Sequence, residues 1–254
     1  MTRSSKNSAE IPRETTFSDE ASAALHPLLS VDTVIFSVID GSLSVLLVKR
    51  AFIPGKELSY PFQGRWALVG GLLDTRLDAS LESAALRRLS EKTRLRAPYL
   101  EQLQSFGDAR RDPRKWSATV VYFALIAAQG LRLESGPSIE EVRWWRLEQA
   151  MSLKLAFDHN VILGAALERL RSKVEYTSLP ANLLPAEFTL SELQAIYEIV
   201  LGRTLDKSSF RKRVLSADFV DDTGRARIGR NRPAQLYRIK PGRKSVVFPR
   251  TFYT

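Results

Sequence analysis

The chain has 254 residues, 44% of them hydrophobic, and a net charge of +10, so it is long and apolar enough for two domains with buried cores. It contains no cysteine and two histidines, which excludes a disulfide framework, a thiolate zinc site and a histidine-rich metal site. No apolar run approaches the length of a membrane span, so no membrane partner is expected.

The chain begins with a polar tail that leads into a predicted hairpin. Residues 1–27 lack the apolar centre of a signal peptide, which predicts a disordered tail on a cytoplasmic protein. Residues 31–38 and 43–50 are rich in β-branched and apolar residues, and each segment predicts a strand. The Asp40-Gly41 pair between them is a signal for a tight hairpin turn.

The following segments alternate between strands and helices. A short strand is predicted to begin at Trp66, and Asp158 is expected to cap a helix over residues 161–173. With a helix at residues 81–95, this order predicts an α/β/α sandwich around a mixed sheet over residues 28–175. The remaining predicted strands are residues 99–106, 116–127 and 142–147.

A glycine pair followed by a charged helix is the most specific motif in the chain. Residues 66–71, Trp-Ala-Leu-Val-Gly-Gly, precede a helix that contains Arg87-Arg88-Leu89-Ser90-Glu91-Lys92-Thr93-Arg94-Leu95. This helix resembles the Nudix box, R-E-U-x-E-E-x-G-U with U apolar, whose glutamates offer oxygen ligands to magnesium. Of those three carboxylates only Glu91 is present, and Leu77 stands where the longer pattern has its first glutamate.

Positions 88, 91 and 92 share one face of this helix, because they are three and four residues apart. Arg88, Glu91 and Lys92 together carry about one positive charge. We therefore expect this face to repel a divalent cation and attract a phosphate, and we predict no metal site and no catalytic residue. A generic amphipathic helix that buries its apolar residues is the alternative that the helix alone leaves open.

Residues 176–186 contain Pro180 and Pro185 and are predicted to be a linker. A second domain is predicted at residues 187–242, followed by a tail at residues 243–254.

In the second domain, Thr189 and Glu192 form a capping box for a helix that stops at Gly202. Asp206 is placed to cap a second helix over residues 207–215. A hairpin follows, with a turn signal at residues 222–224 and a return strand at residues 235–239. A helix, a turn, a basic helix and a basic hairpin form the layout of a winged helix-turn-helix domain.

Basic residues concentrate in this second domain: residues 187–254 hold 14 Lys and Arg against 7 Asp and Glu. This excess predicts an anionic partner, most simply double-stranded DNA, with a solvated basic surface as the alternative. The second helix would enter the major groove, and the hairpin would follow the backbone or the minor groove. The predicted DNA contacts are Lys207, Ser208, Ser209, Arg211, Lys212 and Arg213 on the helix and Arg227, Arg230, Asn231 and Arg232 on the hairpin.

The pattern as a whole resembles the Nudix-related transcriptional regulators (NrtR) over roughly residues 28–241. Besides the altered box, the resemblance is carried by residues 111–116, 155–159, 188–194 and 232–238. It implies a Nudix-type sandwich followed by a winged helix, in a homodimer that binds a palindromic operator and represses genes of NAD metabolism. It further implies that the Nudix domain senses ADP-ribose or a related nucleotide, which releases the DNA, without a resident cofactor.

Side-chain chemistry indicates how such a ligand would be held. Arginines are candidates for the pyrophosphate, the glycine pair for close backbone approach, and Trp116 or Phe157 for stacking on adenine, although either ring is more often part of a core. His159 is a candidate for a ribose hydroxyl, with a purely structural histidine as the alternative. The predicted ligand contacts are Arg50, Gly70, Gly71, Arg87, Arg88, Glu91, Arg114, Trp116, Phe157 and His159.

Two other functions are alternatives to a transcriptional repressor. One is an ADP-ribose pyrophosphatase with a basic accessory domain, which is disfavoured because metal-assisted hydrolysis needs clustered acids. The other is an RNA-binding protein with a vestigial Nudix domain, which is disfavoured because the basic module has no clear aromatic platform for stacking bases.

Overall fold

The computed structural model of the chain describes residues 26–95, 99–128, 131, 133–228, 233–243 and 245–248. They form an N-terminal α/β unit followed by a helical unit with a two-stranded hairpin. In chain order the elements are β1 (Leu28–Ile39), β2 (Ser42–Arg50), β3 (Trp66–Ala67), β4 (Val69–Leu72), α1 (Leu81–Thr93), β5 (Tyr99–Asp108), β6 (Ser117–Leu125), β7 (Ile139–Arg146), α2 (Leu147–Ser152), α3 (His159–Val174), a 3-10 helix (Leu179–Leu183), α4 (Leu190–Leu201), α5 (Lys207–Ser216), β8 (Val220–Arg227) and β9 (Ala234–Ile239).

β1 is the centre of a mixed sheet. Its first half pairs antiparallel with β4, placing Asp32 opposite Gly70, and its second half pairs antiparallel with β2. It is also parallel to β6, beyond which β5 forms one edge, while β3 and β7 pair with β2. Asp40 and Gly41 both have positive φ, 47° and 69°, as the predicted two-residue hairpin turn requires.

Helices cover both faces of this sheet. Because side chains alternate along a strand, Val34 and Phe36 pack in the same cluster as Ile162 of α3, whereas Ile35 packs with Leu89 of α1. The α/β/α sandwich with a mixed sheet is therefore confirmed.

The C-terminal unit has the predicted winged-helix order. The Thr189 hydroxyl accepts from the Glu192 N–H at 3.1 Å, and the Glu192 carboxylate accepts from the Thr189 N–H at 2.8 Å, so both halves of the capping box form. α4 ends at Gly202, whose φ of 69° is the left-handed conformation that glycine favours at a helix end. The Asp206 carboxylate accepts from the Ser209 N–H at 2.8 Å and caps α5 as expected.

The segment predicted as a linker is packed into the protein. Leu179 and Leu183 are fully buried in a hydrophobic cluster that also contains residues of the sheet, α3 and α4. Part of the predicted C-terminal tail packs there as well, since Phe248 is buried and its N–H donates to the Tyr176 carbonyl at 2.7 Å. The two units therefore share one continuous core.

Two local predictions are wrong. Asp158 precedes α3, but its side chain caps no helical N–H, because it pairs with Arg111. Residues 222–224 do not reverse the chain between the two strands: they form a local turn inside β8, where the pairing with β9 shifts register between Asp222 and Ala226. The connection from β8 to β9 includes residues 229–232, which lie outside the described residues, as do residues 1–25 of the predicted N-terminal tail.

Among the helices of the described residues, none combines the length and the hydropathy that crossing a bilayer requires.

Candidate functional site

A pocket of about 460 Å³ opens where the first half of β1, strand β4, helix α1 and the start of α3 meet. Its wall contains five cationic side chains and three anionic ones, so it carries an excess of positive charge. The charged side chains in the wall are Asp32, Arg50, Arg88, Glu91, Lys92, Arg111, Asp112 and Arg114.

One face of α1 forms a wall of the pocket, and it is the face that the residue spacing predicts. Arg88, Glu91 and Lys92 all line the cavity. Arg88 donates from Nη2 to the Leu72 carbonyl at 2.5 Å and from Nη1 to Glu91 at 3.2 Å, whereas its buried Nε has no partner among the residues that the structure describes. The altered box therefore presents positive charge to the cavity.

Arg87, predicted as a ligand contact, does not line the pocket. Its guanidinium donates to Asp78 at 2.6 and 2.7 Å and to Glu91 at 2.9 Å. The hydrogen bond from Arg87 lowers the pKa of Asp78 to about 2. Through these bonds Arg87 holds the loop before α1 against the helix. It lies on a different side of the helix from Arg88 because neighbouring positions point in directions about 100° apart.

Unlike the arginines of this pocket, Lys92 makes no hydrogen bond or ion pair with any described residue. Burial lowers its pKa to about 8, with the nearby Arg50 guanidinium as the next cause. Asp32 and Glu91 act in the opposite direction, but they do not outweigh burial and the neighbouring arginines. The predicted set of ligand contacts omitted Lys92, although its position on the helix face was recognised.

Arg50 lies in the pocket wall between two aromatic rings. Its guanidinium carbon lies 3.9 Å from the centre of the Tyr60 ring and 5.2 Å from that of Phe157, and its Nε donates to the Pro61 carbonyl at 2.9 Å. Burial lowers the pKa of Arg50. The rings of Tyr60 and Phe157 give this side of the cavity two flat apolar surfaces beside a positive charge.

The glycine pair lines the pocket, but close protein contacts already account for it. A Cβ at Gly70 would lie 2.0 Å from an Asp32 side-chain oxygen, and one at Gly71 would lie 3.0 Å from Arg88 Nε. Gly70 therefore lets β4 approach β1, and Gly71 leaves room for the Arg88 guanidinium.

A buried polar network forms the floor of the pocket, and the sequence analysis missed it. Asp32 accepts from the Thr119 hydroxyl at 2.8 Å and lies 3.7 Å from both Arg111 and His159. Arg111 is bound on its other side by Asp158 through two hydrogen bonds of 3.0 Å. Residues from three distant segments therefore meet here, and an ion pair between Arg111 and the adjacent Asp112 does not form.

His159 is buried at the start of α3 and lines the cavity. Its Nδ1 accepts from the Leu68 N–H at 2.9 Å, which places the proton of the neutral ring on Nε2. Nε2 has no hydrogen-bond partner within the described ranges, so one N–H donor is available. Burial lowers the pKa of His159 and outweighs the nearby Asp32 and Asp158, which raise it.

The remaining predicted contacts divide between the pocket and the surface. Phe157 and Arg114 line the cavity, and Arg114 is held by Asp112 at 2.7 and 3.0 Å. Trp116 is half exposed and does not line the cavity; its ring packs beside Gly107 on the adjacent strand. Among the described residues, Phe157 and Tyr60 are the Phe, Tyr or Trp side chains that line the pocket.

The structure shows no cluster of metal-binding side chains within its described ranges, meaning three or more His, Cys, Asp or Glu residues. The three acidic side chains of the pocket contact arginines: Glu91 binds Arg88, Asp112 binds Arg114, and Asp32 lies beside Arg111. These carboxylates balance positive charge rather than gather around a common point.

A second candidate surface is the exposed side of α5. Phe210 and Val214 are buried, as their spacing predicts, and this orients the intervening polar residues outward. Arg213 is only partly exposed, because its guanidinium donates to the Glu175 carbonyl at 2.7 Å. The exposed members of the predicted DNA-contacting set on this helix are Lys207, Ser208, Ser209, Arg211 and Lys212.

One of the predicted hairpin contacts, Arg227, lies within the described residues. Arg227 is exposed, but its guanidinium pairs with Glu192 at the start of α4. The other predicted hairpin contacts, Arg230, Asn231 and Arg232, lie outside the described residues.

The fold and the two surfaces define a Nudix-type domain joined to a winged-helix domain. The NUDIX domain family matches residues 29–165, and the NrtR DNA-binding winged helix domain family matches residues 180–239. The chain is 46% identical to the ADPR responsive transcriptional repressor NtrR of Acinetobacter baylyi over 224 residues, which are 88% of this chain and 86% of that protein. The chain belongs to the NrtR family of Nudix-related transcriptional regulators.

Two solved structures of Shewanella oneidensis NrtR resemble this chain. The structure complexed with a 27mer DNA has a TM-score of 0.79 and 43% identity, and the match covers 89% of this chain and 99% of that one. The structure of its NUDIX domain complexed with ADP ribose has a TM-score of 0.52 and 41% identity, and the match covers 59% of this chain and 92% of that one.

Proposed function

We propose that this protein is a transcriptional repressor of NAD-metabolism genes that binds operator DNA through its winged helix and is controlled by ADP-ribose or a related nucleotide. The observation that carries the proposal is the pocket face of α1. Arg88 and Lys92 line the cavity with Glu91, so a site that holds metal in the Nudix pattern here presents net positive charge to an anionic nucleotide.

The names and solved complexes of relatives support the proposal that DNA and ADP-ribose are the two binding partners. The Acinetobacter baylyi relative is named an ADPR responsive transcriptional repressor, and Shewanella oneidensis NrtR has been solved with DNA and, as its NUDIX domain, with ADP ribose. This chain matches both the NUDIX domain family and the NrtR DNA-binding winged helix domain family. We therefore assign DNA binding to residues 187–242, ligand binding to residues 28–175, and connection of the two to residues 176–186.

We propose that ADP-ribose binds without being hydrolysed. Metal-assisted attack on a pyrophosphate requires carboxylates that converge on the metal, and the acidic side chains of this pocket are engaged with arginines. The pocket therefore acts as a sensor, whose output is a change in DNA binding.

The chemistry of the pocket suggests how the nucleotide is oriented. The cationic face of α1 suits the pyrophosphate, and the rings of Tyr60 and Phe157 suit adenine. The free Nε2–H of His159 suits a ribose hydroxyl. The proposed arrangement leaves out Arg87 and Trp116, since neither lines the cavity.

On the DNA side, we propose that α5 enters the major groove. Its exposed residues 207–209, 211 and 212 are those whose side chains reach bases and phosphates in such a complex. In a homodimer two such helices would lie about 34–36 Å apart, which corresponds to a palindromic operator. We therefore propose that the protein acts in the cytoplasm, because the DNA that it binds lies there.

A DNA shift assay with metabolites tests this function. The probe is DNA from upstream of the protein's own gene and its neighbours, and the panel contains ADP-ribose, NAD, nicotinamide mononucleotide and AMP. The protein alone is expected to retard at least one probe, and ADP-ribose is expected to reverse the shift. Failure to bind any probe, or a shift that no member of the panel alters, would contradict the proposal.

A further inference from the structure

Four arginines and one lysine line the pocket, and they differ in how their charge is used. Every arginine donates to a protein acceptor, whereas Lys92 makes no hydrogen bond or ion pair with the residues that the structure describes. The arginine contacts are Arg50 to the Pro61 carbonyl, Arg88 to Glu91 and the Leu72 carbonyl, Arg111 to Asp158, and Arg114 to Asp112.

Lys92 is held inside the pocket wall by a neighbouring loop. The Lys92 carbonyl accepts from the Gly136 N–H at 3.2 Å. The backbones are so close that a Cβ at Gly136 would lie 1.9 Å from the Glu91 carbonyl oxygen. This loop continues through Pro137 and Ser138, which also line the cavity, so it packs against the backbone that carries the lysine.

The charged groups around Lys92 come from three elements. Arg50 on β2 and Arg88 on α1 disfavour another positive charge, whereas Asp32 on β1 and Glu91 on α1 favour it. An ammonium group has three N–H donors and no acceptor, and here the part of the chain that the structure describes satisfies none of them. A charged group in that situation binds an anion more strongly than a surface lysine does, because it has already lost part of its water.

We propose that Lys92 is the residue whose ammonium group binds the pyrophosphate of the effector, in place of the divalent cation used by hydrolysing Nudix sites. This inference rests on the proposed function, since it specifies how the effector site works. The position corresponds to a glutamate of the Nudix box. Lysine there removes a metal ligand and supplies positive charge, so a single substitution both weakens metal-assisted hydrolysis and allows metal-free binding.

A consequence follows for the pH dependence of binding. Because burial lowers the pKa of Lys92 to about 8, the free protein loses this positive charge just above neutrality. A bound phosphate stabilises the ammonium form and raises that pKa. Effector affinity is therefore constant well below pH 8 and falls as the pH rises above 8, by up to about tenfold per pH unit.

Calorimetric titration with ADP-ribose in a chelator tests the inference, using wild type, Lys92→Met, Lys92→Arg and Lys154→Met at pH values from 6.5 to 9.5. Lys154 is an exposed lysine outside the pocket and serves as the matched control. Lys92→Met is expected to weaken binding about 10- to 100-fold at pH 7 and to abolish the decline above pH 8. Lys92→Arg is expected to retain binding and lose the same decline, because arginine does not titrate in this range.

Other ligands separate this inference from the proposed function. Adenosine lacks phosphate, so its affinity should be the same for wild type and Lys92→Met. Wild-type affinity for ADP-ribose in Lys92→Met, or an unchanged pH profile in Lys92→Arg, would overturn the role of Lys92. Binding of inorganic pyrophosphate that requires Lys92, without binding of ADP-ribose or any other nucleotide of the panel, would overturn the proposed nucleotide effector, while the role of Lys92 as the group that binds pyrophosphate would stand.

Discussion

Arg213 of α5 donates a hydrogen bond of 2.7 Å to the backbone carbonyl of Glu175, the C-cap residue that follows α3. The first residue of α3 is His159, which lines the pocket. This 16-residue helix is about 24 Å long, so one rigid element connects the ligand site with the DNA-facing helix. The Arg213 guanidinium also lies 5.0 Å from the centre of the Phe248 ring, which fixes it against the body of the protein.

Arg213→Ala is expected to weaken the coupling between ADP-ribose and DNA. Its contacts join α5 to α3, so their loss should let the DNA-binding unit respond less to the occupied pocket. The ratio of DNA dissociation constants with and without ADP-ribose should fall by about fivefold or more, as for a lost coupling energy. A variant that keeps the wild-type ratio would show that this contact carries no signal.

Arg211→Ala should instead weaken DNA binding itself. Arg211 is exposed on α5, and losing a base contact costs roughly 1–3 kcal/mol and relaxes specificity at one position in each half-site. Fluorescence anisotropy with operator and scrambled DNA measures both effects, with Lys154→Ala as a control away from α5. Equal operator affinity for wild type and Arg211→Ala would mean that α5 does not read the groove.

Arg87→Gln is expected to lower stability while leaving ADP-ribose affinity within about twofold of wild type, a change below 0.5 kcal/mol. Its guanidinium binds Asp78 and Glu91, and Arg87 itself does not line the cavity. The matched variant is Arg88→Gln, one residue along the helix, which should lose affinity because Arg88 lines the pocket. Reversal of these two results would restore Arg87 to the ligand site.

The Arg87–Asp78 pair also predicts the acid side of the stability profile. The pKa of Asp78 is lowered from 3.8 to about 2 in the folded protein, so its contribution is complete above about pH 4 and is lost as the pH falls toward 2. Thermal unfolding between pH 5 and pH 2 should show a shallower decline for Asp78→Asn than for wild type. Parallel curves would indicate that the pair adds nothing to stability.

His159 predicts a second, separate loss of stability in mild acid. Burial lowers its folded pKa below 6.5, so the unfolded chain binds the proton more readily, and stability falls as the pH drops through this range. Urea unfolding at pH 8 and pH 5.5 should show a larger loss for wild type than for His159→Gln. An equal loss in both proteins would mean that protonation of His159 does not oppose folding.

Hydrolysis of ADP-ribose with magnesium should be far below about 1 per second, the low end of typical enzymes. The matched variant is Arg88→Glu/Lys92→Glu, which places three carboxylates on the helix face with Glu91 and should gain measurable magnesium binding by calorimetry. Wild-type turnover at enzymatic rates would contradict the assignment of the pocket as a sensor. A double variant that binds no magnesium would show that the helix face alone does not set metal affinity.

Signals that act over a few residues predicted the fold well. The Asp40-Gly41 turn and the Thr189–Glu192 capping box depend on backbone conformation within four residues, and both are confirmed. The spacing of positions 88, 91 and 92 likewise placed one helix face in the pocket.

Partnerships between distant segments could not be predicted in the same way. Arg111 has an acidic neighbour in sequence, yet it pairs with Asp158, 47 residues away, because the fold brings the start of α3 beneath β1. Arg87 and Arg88 are chemically identical, and only their contacts with Asp78 and Leu72 show which of them lines the cavity. The burial of Leu179 could not be predicted either, because it depends on distant segments, whereas the two nearby prolines indicated a linker.

In the proposed function, one nucleotide that is bound without metal or hydrolysis controls DNA binding. The most direct measurement is fluorescence anisotropy of labelled operator DNA bound to the wild-type protein, titrated with ADP-ribose in a chelator, with the nucleotide quantified afterwards. We predict that the DNA is released in a saturable manner and that the ADP-ribose is recovered intact. An unchanged anisotropy at saturating ADP-ribose, or release that requires magnesium and consumes the nucleotide, would contradict the account.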